Sequence, residues 1–283
     1  MSRMLRHAAL AGAGALATRG LLRAAASLDT RQLDRTNHRG EPVSLVAGPV
    51  VALAATATAV AGASSPRLRT AALVAGLGAG ALGLYDDIVG ARPEQRADKG
   101  FRGHLRALAA GRVSAGAVKV AGIGAAGLVA GALLERRPVR AVVAGGIVAG
   151  TANLLNLLDL RPGRAVKAAL LLGAPLVGTG VVAGPLGAAA AVLPEDLGER
   201  TMLGDSGANA LGALLGLGLA ARLGPRGRWA ALGALVALTA ASEKVSFTRV
   251  IESTPGLREL DGLGRRPSAG GQAAGEEHSR RPR

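Results

Sequence analysis

VSLVAGPVVALAATATAVAGA, residues 43 to 63, contains no charged side chain and no aromatic ring. A helix of about 20 such residues matches the roughly 30 Å hydrocarbon thickness of a bilayer, so the stretch reads as a membrane span. The rest of the chain repeats the pattern. Apolar runs between polar breaks place helices near 5 to 27, 43 to 63, 69 to 85, 113 to 134, 139 to 158, 165 to 181, 184 to 194, 207 to 222 and 229 to 242. Hydrophobic residues make up 49% of the 283, yet aromatics only 1%, and there is no cysteine. A water-soluble core of this length would lack its large packing side chains. Helices in lipid instead associate through small residues that let backbones approach closely, and 43 glycines are present for that purpose. The expected fold class is all-α: a polytopic integral membrane protein with about nine transmembrane helices (eight to ten). Residues 1 to 265 form one transmembrane domain, and the polar segment 266 to 283 reads as a disordered cytoplasmic tail.

Nine crossings with an outside N-terminus put 20 of the 34 lysines and arginines on one side, in the segments 28 to 42, 86 to 112, 159 to 164, 195 to 206 and 243 to 283. The side richer in Lys and Arg is cytoplasmic. A net charge of +15 would point to nucleic acid in a soluble protein, but no aromatic-interleaved basic surface is present, so nucleic acid is excluded as a partner. The first 28 residues are interrupted by Arg19 and Arg23 and read as a retained first span. The abundance of Ala, Gly and Arg fits a GC-rich bacterial coding sequence, hence a multi-pass protein of the bacterial inner (cytoplasmic) membrane. The tightest region is 165 to 194, where two crossings share about 45 Å of helix although two full spans need about 60 Å. Either the helix ends extend into polar neighbours, or the pair is short and shielded by protein.

Four polar clusters fall on the cytoplasmic side: RTNHRGEPVS (35 to 44), YDDIVG (85 to 90), NLLNLLDL (153 to 160) and LGDSGAN (203 to 209). Asp86 and Asp87 end an apolar helix, where the helix dipole disfavours anions. Asn153, Asn156 and Asp159 recur every third residue and share one arc of a helix. The two amides also fit a plain role as interhelical hydrogen-bond glue, whereas an intramembrane carboxylate usually marks function. Asp205 is either functional or an N-cap for the helix that follows, and Lys119 either serves the site or snorkels to the interface. His38 and His104 stand alone and do not read as transition-metal ligands. Asp86, Asp87, Asp159 and Asp205 together offer hard oxygen donors suited to Mg²⁺, with Mn²⁺ as the alternative, beside cations that hold phosphate oxygens.

In this order the clusters resemble the polyprenyl-phosphate sugar-1-phosphate transferases, the superfamily of the bacterial lipid I synthase, over about residues 30 to 260. RTNHRGEPVSLVAGP is similar to the family's first cytoplasmic loop, YDD to its aspartate pair, NLLNLLD to its Asn-x-x-Asn-x-x-Asp segment and LGDSGANALG to its Gly-Asp-x-Gly segment. The resemblance implies a phosphoglycosyltransferase of cell-wall or envelope polysaccharide synthesis. It would move a sugar 1-phosphate from a UDP-sugar to a polyprenyl phosphate (undecaprenyl or decaprenyl) and release UMP. It implies Asp205 as the leading metal ligand, with Asp159 near the metal or nucleotide. Asp86 would deprotonate or orient the lipid phosphate, with Asp87 in support. Lys119 would neutralise phosphate charge, and Asn153, Asn156, Arg35 and His38 would line the substrate site. A homodimer is compatible with it.

The chain departs from the family at three places. Leu160 follows Asp159 where the family has Gly. RVIESTPGLRELDGLG, from 249, replaces a His-rich stretch, and nine apparent spans replace ten. The missing His-rich stretch favours a second reading, a non-catalytic relative that binds a polyprenyl phosphate or lipid-linked precursor as a scaffold or regulator.

Overall fold

The computed structural model of the protein describes residues 2–95 and 100–266. The tail from 267 onward lies outside the described residues. α1 (Arg3–Ala25), α2 (Ala47–Gly62) and α3 (Pro66–Val89) are followed by α4 (Gly100–Ala109), α5 (Ala115–Leu134) and α6 (Pro138–Leu158). Next come α7 (Arg164–Gly173), which continues into a 3-10 segment (Ala174–Thr179), α8 (Ala183–Leu197) and α9 (Gly204–Arg222). α10 (Pro225–Ser242) and two short helices, α11 (Phe247–Ser253) and α12 (Leu257–Gly262), complete the order. The only sheet among the described residues is an antiparallel hairpin, β1 (Asp34–Thr36) and β2 (Pro42–Ser44), with Arg35 opposite Val43.

Local chemistry explains where the helices begin. Ser2, Ser65 and Ser114 accept hydrogen bonds from the backbone N–H of Leu5, Leu68 and Ala117, each satisfying a donor that has no partner within its helix. α3, α6 and α10 begin with proline, whose missing N–H costs nothing at that position.

Among the described residues three helices, α3, α5 and α6, are long and apolar enough to cross a membrane, and α10 with α11 makes a fourth if that pair, bent by 96°, counts as one span. Backbone approach holds the bundle together. A Cβ on Gly131 of α5 would overlap the Ala141 carbonyl and the Gly145 backbone of α6, and one on Gly212 of α9 would overlap Thr151 and Ala152 of α6. Such contacts order the bundle as antiparallel pairs α2 with α3, α3 with α5, α5 with α6 and α6 with α9. α9 lies at the centre against α2, α3 and α6.

The crowded segment 165 to 194 combines both of its sequence-level solutions. α8 runs on through Pro194 to Leu197, so its end extends into polar sequence. α7 remains only ten residues long and buries Ala165, Val166 and Ala169 completely. α4, α11, α12 and most of the hairpin fall in segments read as loops, whereas Val43 and Ser44 of β2 belong to the run read as helix from 43, so α2 begins only at Ala47. These elements are too short for a periodic apolar signal to accumulate.

Candidate active site

α3, α6 and α8 end, and α5 and α9 begin, at one end of the bundle. The first turn of α9 is the focus. Its opening N–H groups have no partner within the helix, and the partner comes from another helix: the Asp87 carboxylate accepts from Asp205 N–H at 3.0 Å and from Ser206 N–H at 2.9 Å. Two glycines permit this approach. Gly83 lies so close to α9 that a Cβ there would overlap the Asp205 carbonyl. Gly204 has φ +57, and a Cβ on it would sit 3.1 Å from both Asp87 oxygens. The Ser206 hydroxyl donates to the Gly80 carbonyl at 2.9 Å, and the Asn209 amide donates to the Asp205 carbonyl at 2.7 Å. The carboxylate that looked out of place at the C-terminal end of α3 thus lies at the positive N-terminal end of α9.

Lys119, one turn into α5, pairs with Asp86 and with Asp205, each at 2.5 Å. The ammonium and both carboxylates are mostly screened from solvent, so the triad is stronger than a surface ion pair. Lys119 therefore does not snorkel; it joins α3, α5 and α9. Asp159 caps the C-terminus of α6, is buried, and has one oxygen, Oδ1, with no hydrogen-bond partner among the described residues. It lies in the electrostatic field of Asp196, Asp205 and Asp87.

The remaining expected residues divide. The Arg35 guanidinium donates to the carbonyls of Gln32 at 3.0 Å and Asp34 at 2.7 Å, and to the Asp87 carbonyl. Its donors tie the hairpin to the end of α3. Asn153 turns to α10, where its amide donates to Thr239 Oγ1 at 3.1 Å, the glue role. Asn156 is half-buried and makes no side-chain hydrogen bond among the described residues. His38 is exposed on the hairpin turn; partial burial and the nearby Arg161 charge hold its imidazole below the ordinary histidine range.

The chain matches no protein-family model, and no curated protein matches it.

Two buried acids escaped the sequence reading. Asp196, at the end of α8, is 1% exposed, and neither carboxylate oxygen makes a well-formed hydrogen bond among the described residues. A carboxylate near the end of an apolar run was the signal, the same one that picked out Asp86. Glu199 has φ +58, a conformation that favours glycine. Its buried carboxylate accepts from the Asn37 amide at 2.7 Å and pairs with Arg39 at 2.9 Å. These contacts fasten the hairpin to the segment leading into α9, as do Ser44 N–H to the Arg200 carbonyl at 3.2 Å and Met202 N–H to the Ser44 carbonyl at 2.9 Å. No sequence signal pointed to Glu199, because its partners lie about 160 residues away.

As a possible home for Mg²⁺ or Mn²⁺, the site has the right chemistry: oxygen donors only, one of them buried and without a partner on Asp159. Among the described residues, no three His, Cys, Asp or Glu side chains converge closely enough to enclose an ion by themselves. An ion here would take one or two carboxylates and complete its shell with water and substrate oxygens, as Mg²⁺ commonly does.

Proposed function

We propose that the chain is a multi-pass enzyme of the bacterial inner membrane that transfers a sugar 1-phosphate from a UDP-sugar to a polyprenyl phosphate, releasing UMP. In this reading α1, α2, α3 and α5 to α10 are the nine crossings, and the carboxylate end faces the cytoplasm. The observation that carries it is the Lys119 bridge between Asp86 and Asp205, beside the unpartnered buried oxygen of Asp159. A cation held between two carboxylates can exchange one of them for a phosphate oxygen, and that exchange frees the carboxylate.

In the reaction an oxygen of the lipid phosphate bonds to the sugar-bearing phosphorus. The bond from that phosphorus to the bridging oxygen breaks, and UMP leaves with the electron pair. Two anions must approach, so their repulsion has to be cancelled by fixed positive charge. Lys119 supplies one such charge. Asp86, released from Lys119, orients the lipid phosphate and accepts its proton if one remains. Asp205 and Asp159 are the groups that would hold Mg²⁺ or Mn²⁺, which when bound neutralises the diphosphate. Asp87 acts through α9: by engaging the N–H groups of Asp205 and Ser206 it fixes where the Asp205 side chain begins, so it is a positioning residue.

The test is UMP release by the purified protein in detergent with undecaprenyl phosphate, Mg²⁺ and a panel of UDP-sugars, with Asp205→Asn alongside. Mg²⁺-dependent release that the variant loses supports the transferase. A specific observation favours a scaffold as the second reading: Arg35 and Asp87 are both committed to internal hydrogen bonds. Folded protein that binds the lipid phosphate, survives Asp205→Asn and releases no UMP from any donor would establish the scaffold instead.

A further inference from the structure

The opposite end of the bundle carries a second polar feature that the transferase reading does not use. α6 has 21 residues, about 31 Å of helix, so its first turn lies that far from Asp159. There the N-termini of α6 and α10 meet around a cavity of about 420 Å³ lined by Arg137, Arg140, Arg228, Val143 and Trp229. Arg228 is buried, donating to the Ala220 carbonyl at 2.7 Å and pairing with Glu135. The guanidinium groups of Arg137 and Arg140 have no partner among the described residues. Trp229, the only tryptophan in the chain, is 57% exposed beside them.

A second hollow of about 330 Å³ lies along the same pair of helices, lined by Gly146, Gly150, Leu232, Leu235 and Val236, with Thr239 and Glu243 at its far end. Residues 139, 143, 146 and 150 follow one another at helical spacing, so they form a single stripe on α6. The two hollows are successive parts of one groove. It spans about 16 Å along α6 from residue 139 to residue 150, cationic at the membrane boundary and apolar at Gly146, Gly150, Leu232, Leu235 and Val236 before it closes at Thr239 and Glu243. A free anion would need only the first part. A glycerophospholipid needs both, its phosphate at the guanidiniums and an acyl chain against Leu232, Leu235 and Val236, while exposed tryptophan is enriched at the depth where headgroups begin.

We infer that this groove binds an anionic phospholipid of the leaflet opposite the carboxylate site. The inference rests on the chain lying in a membrane and not on its being a transferase.

Trp229 is a built-in reporter. The full-length protein is reconstituted into phosphatidylcholine vesicles in which part of the lipid is replaced by brominated phosphatidylglycerol or, separately, by brominated phosphatidylcholine, and tryptophan quenching is measured against mole fraction. The expected result is preferential quenching by the anionic lipid, with the preference reduced about fivefold for each arginine in Arg137→Gln and Arg140→Gln. Arg67→Gln, at the start of α3 and outside the groove, should leave it unchanged. Equal quenching by both lipids, or a preference that survives the double variant, overturns the inference. Reversal of the quenching by inorganic phosphate overturns it in favour of a simple anion site. No quenching by either lipid, with Trp229 protected and cross-linking across α10, overturns it in favour of a second copy of the chain seated on this face. Protein that does not float with the vesicles overturns the membrane reading itself, whereas UMP assays leave the inference untouched.

Discussion

α9 and α10 are consecutive, similar in length and built from the same alanines, glycines and leucines, yet they hold very different places. α9 buries fourteen of its nineteen residues, whereas α10 buries only Arg228 and Leu235. α9 carries five glycines and α10 two, and the backbone contacts these and their neighbours allow set the two helices apart. α9 meets glycines from α2 and α3 and presents its own to α6, so it is gripped on several sides, while α10 packs mainly on α6. The chemistry follows the grip. Asp205 opens the helix held on several sides, and the groove lies along the one that packs mainly on α6.

Glycine replacement should break this contrast most sharply. Gly83→Leu drives a side chain into the Asp205 backbone. The expected cost is about 4 kcal/mol or more, in the range where a mutant commonly fails to fold. Gly233→Leu on α10 meets nothing within 4 Å and should leave folding unchanged. Size-exclusion profiles of the two variants in detergent make the comparison. A monodisperse Gly83→Leu protein would show that α9 is not held as described.

Next in size are the polar fasteners of α9. Lys119→Met leaves Asp86 and Asp205 facing each other without their cation, and should cost about 3 kcal/mol, the low end for breaking a buried pair. Asp87→Ala removes the acceptor from two N–H groups of the first turn, costing about 2 kcal/mol, the top of the range for a lost cap. Asp87→Asn retains one acceptor oxygen and should recover part of the loss. Thermal melts in one detergent rank the three. Equal melting of Asp87→Ala and wild type would remove the cap argument.

These fasteners mark the limit of what the sequence reveals. The apolar runs at 113 to 134 and 139 to 158 coincide with α5 and α6 to within two residues, because hydropathy is a local property, whereas the run at 43 to 63 is helical only over the 16 residues of α2, shorter than the span read from it. The four acids chosen as a group do come to one end of the bundle, since alternating helix direction fixes which loops share an end. What each does there was not legible. Asp87 caps a helix 118 residues away, and Arg35 reaches 52 residues to a carbonyl, so neither partner appears in any local window. Asn153 kept two readings open in the sequence because periodicity gives only a side chain's face, and its choice of Thr239 depends on where α10 docks.

The segment after α10 is fastened by charge, and acid should release it. Arg164 on α7 pairs with Asp261 through two hydrogen bonds of 2.8 and 3.0 Å, and Lys167 donates to the carbonyls of Leu260, Asp261 and Leu263. Burial pushes the Asp261 carboxyl upward, but the Arg164 hydrogen bonds and the charges of Arg164, Arg265 and Lys167 outweigh it and hold the group below the usual carboxylate range. A depressed folded value means the docked state binds the proton less readily than the released one. Its stabilisation is full above the ordinary carboxylate range, about pH 4, and is lost as pH falls through the depressed value. Hydrogen exchange over 257 to 266, corrected for intrinsic rate, should show constant protection from neutral pH down to about pH 5 and a fall below about pH 4. Asp261→Asn should remove that acid dependence.

The smallest expected effect bears most directly on how α10 is held. The Asn153 to Thr239 hydrogen bond joins the last turn of α10 to α6, at the end of the groove nearest the carboxylate site. Interhelical hydrogen bonds of this kind couple by about 0.6 kcal/mol, because partners for the amide also exist when the helices are apart. A double-mutant cycle of Asn153→Leu and Thr239→Val should therefore give a coupling near that figure, well below what the α9 fasteners contribute. If the bond only glues, neither single change should alter UMP release or its dependence on Mg²⁺. If Asn153 instead serves substrate, Asn153→Leu would cut turnover while Thr239→Val would not, since removing the hydroxyl frees the amide to face the site. The two variants affect the bond equally and the chemistry unequally, so together they separate a helix fastener from a substrate ligand at a position where the residue type alone allows both.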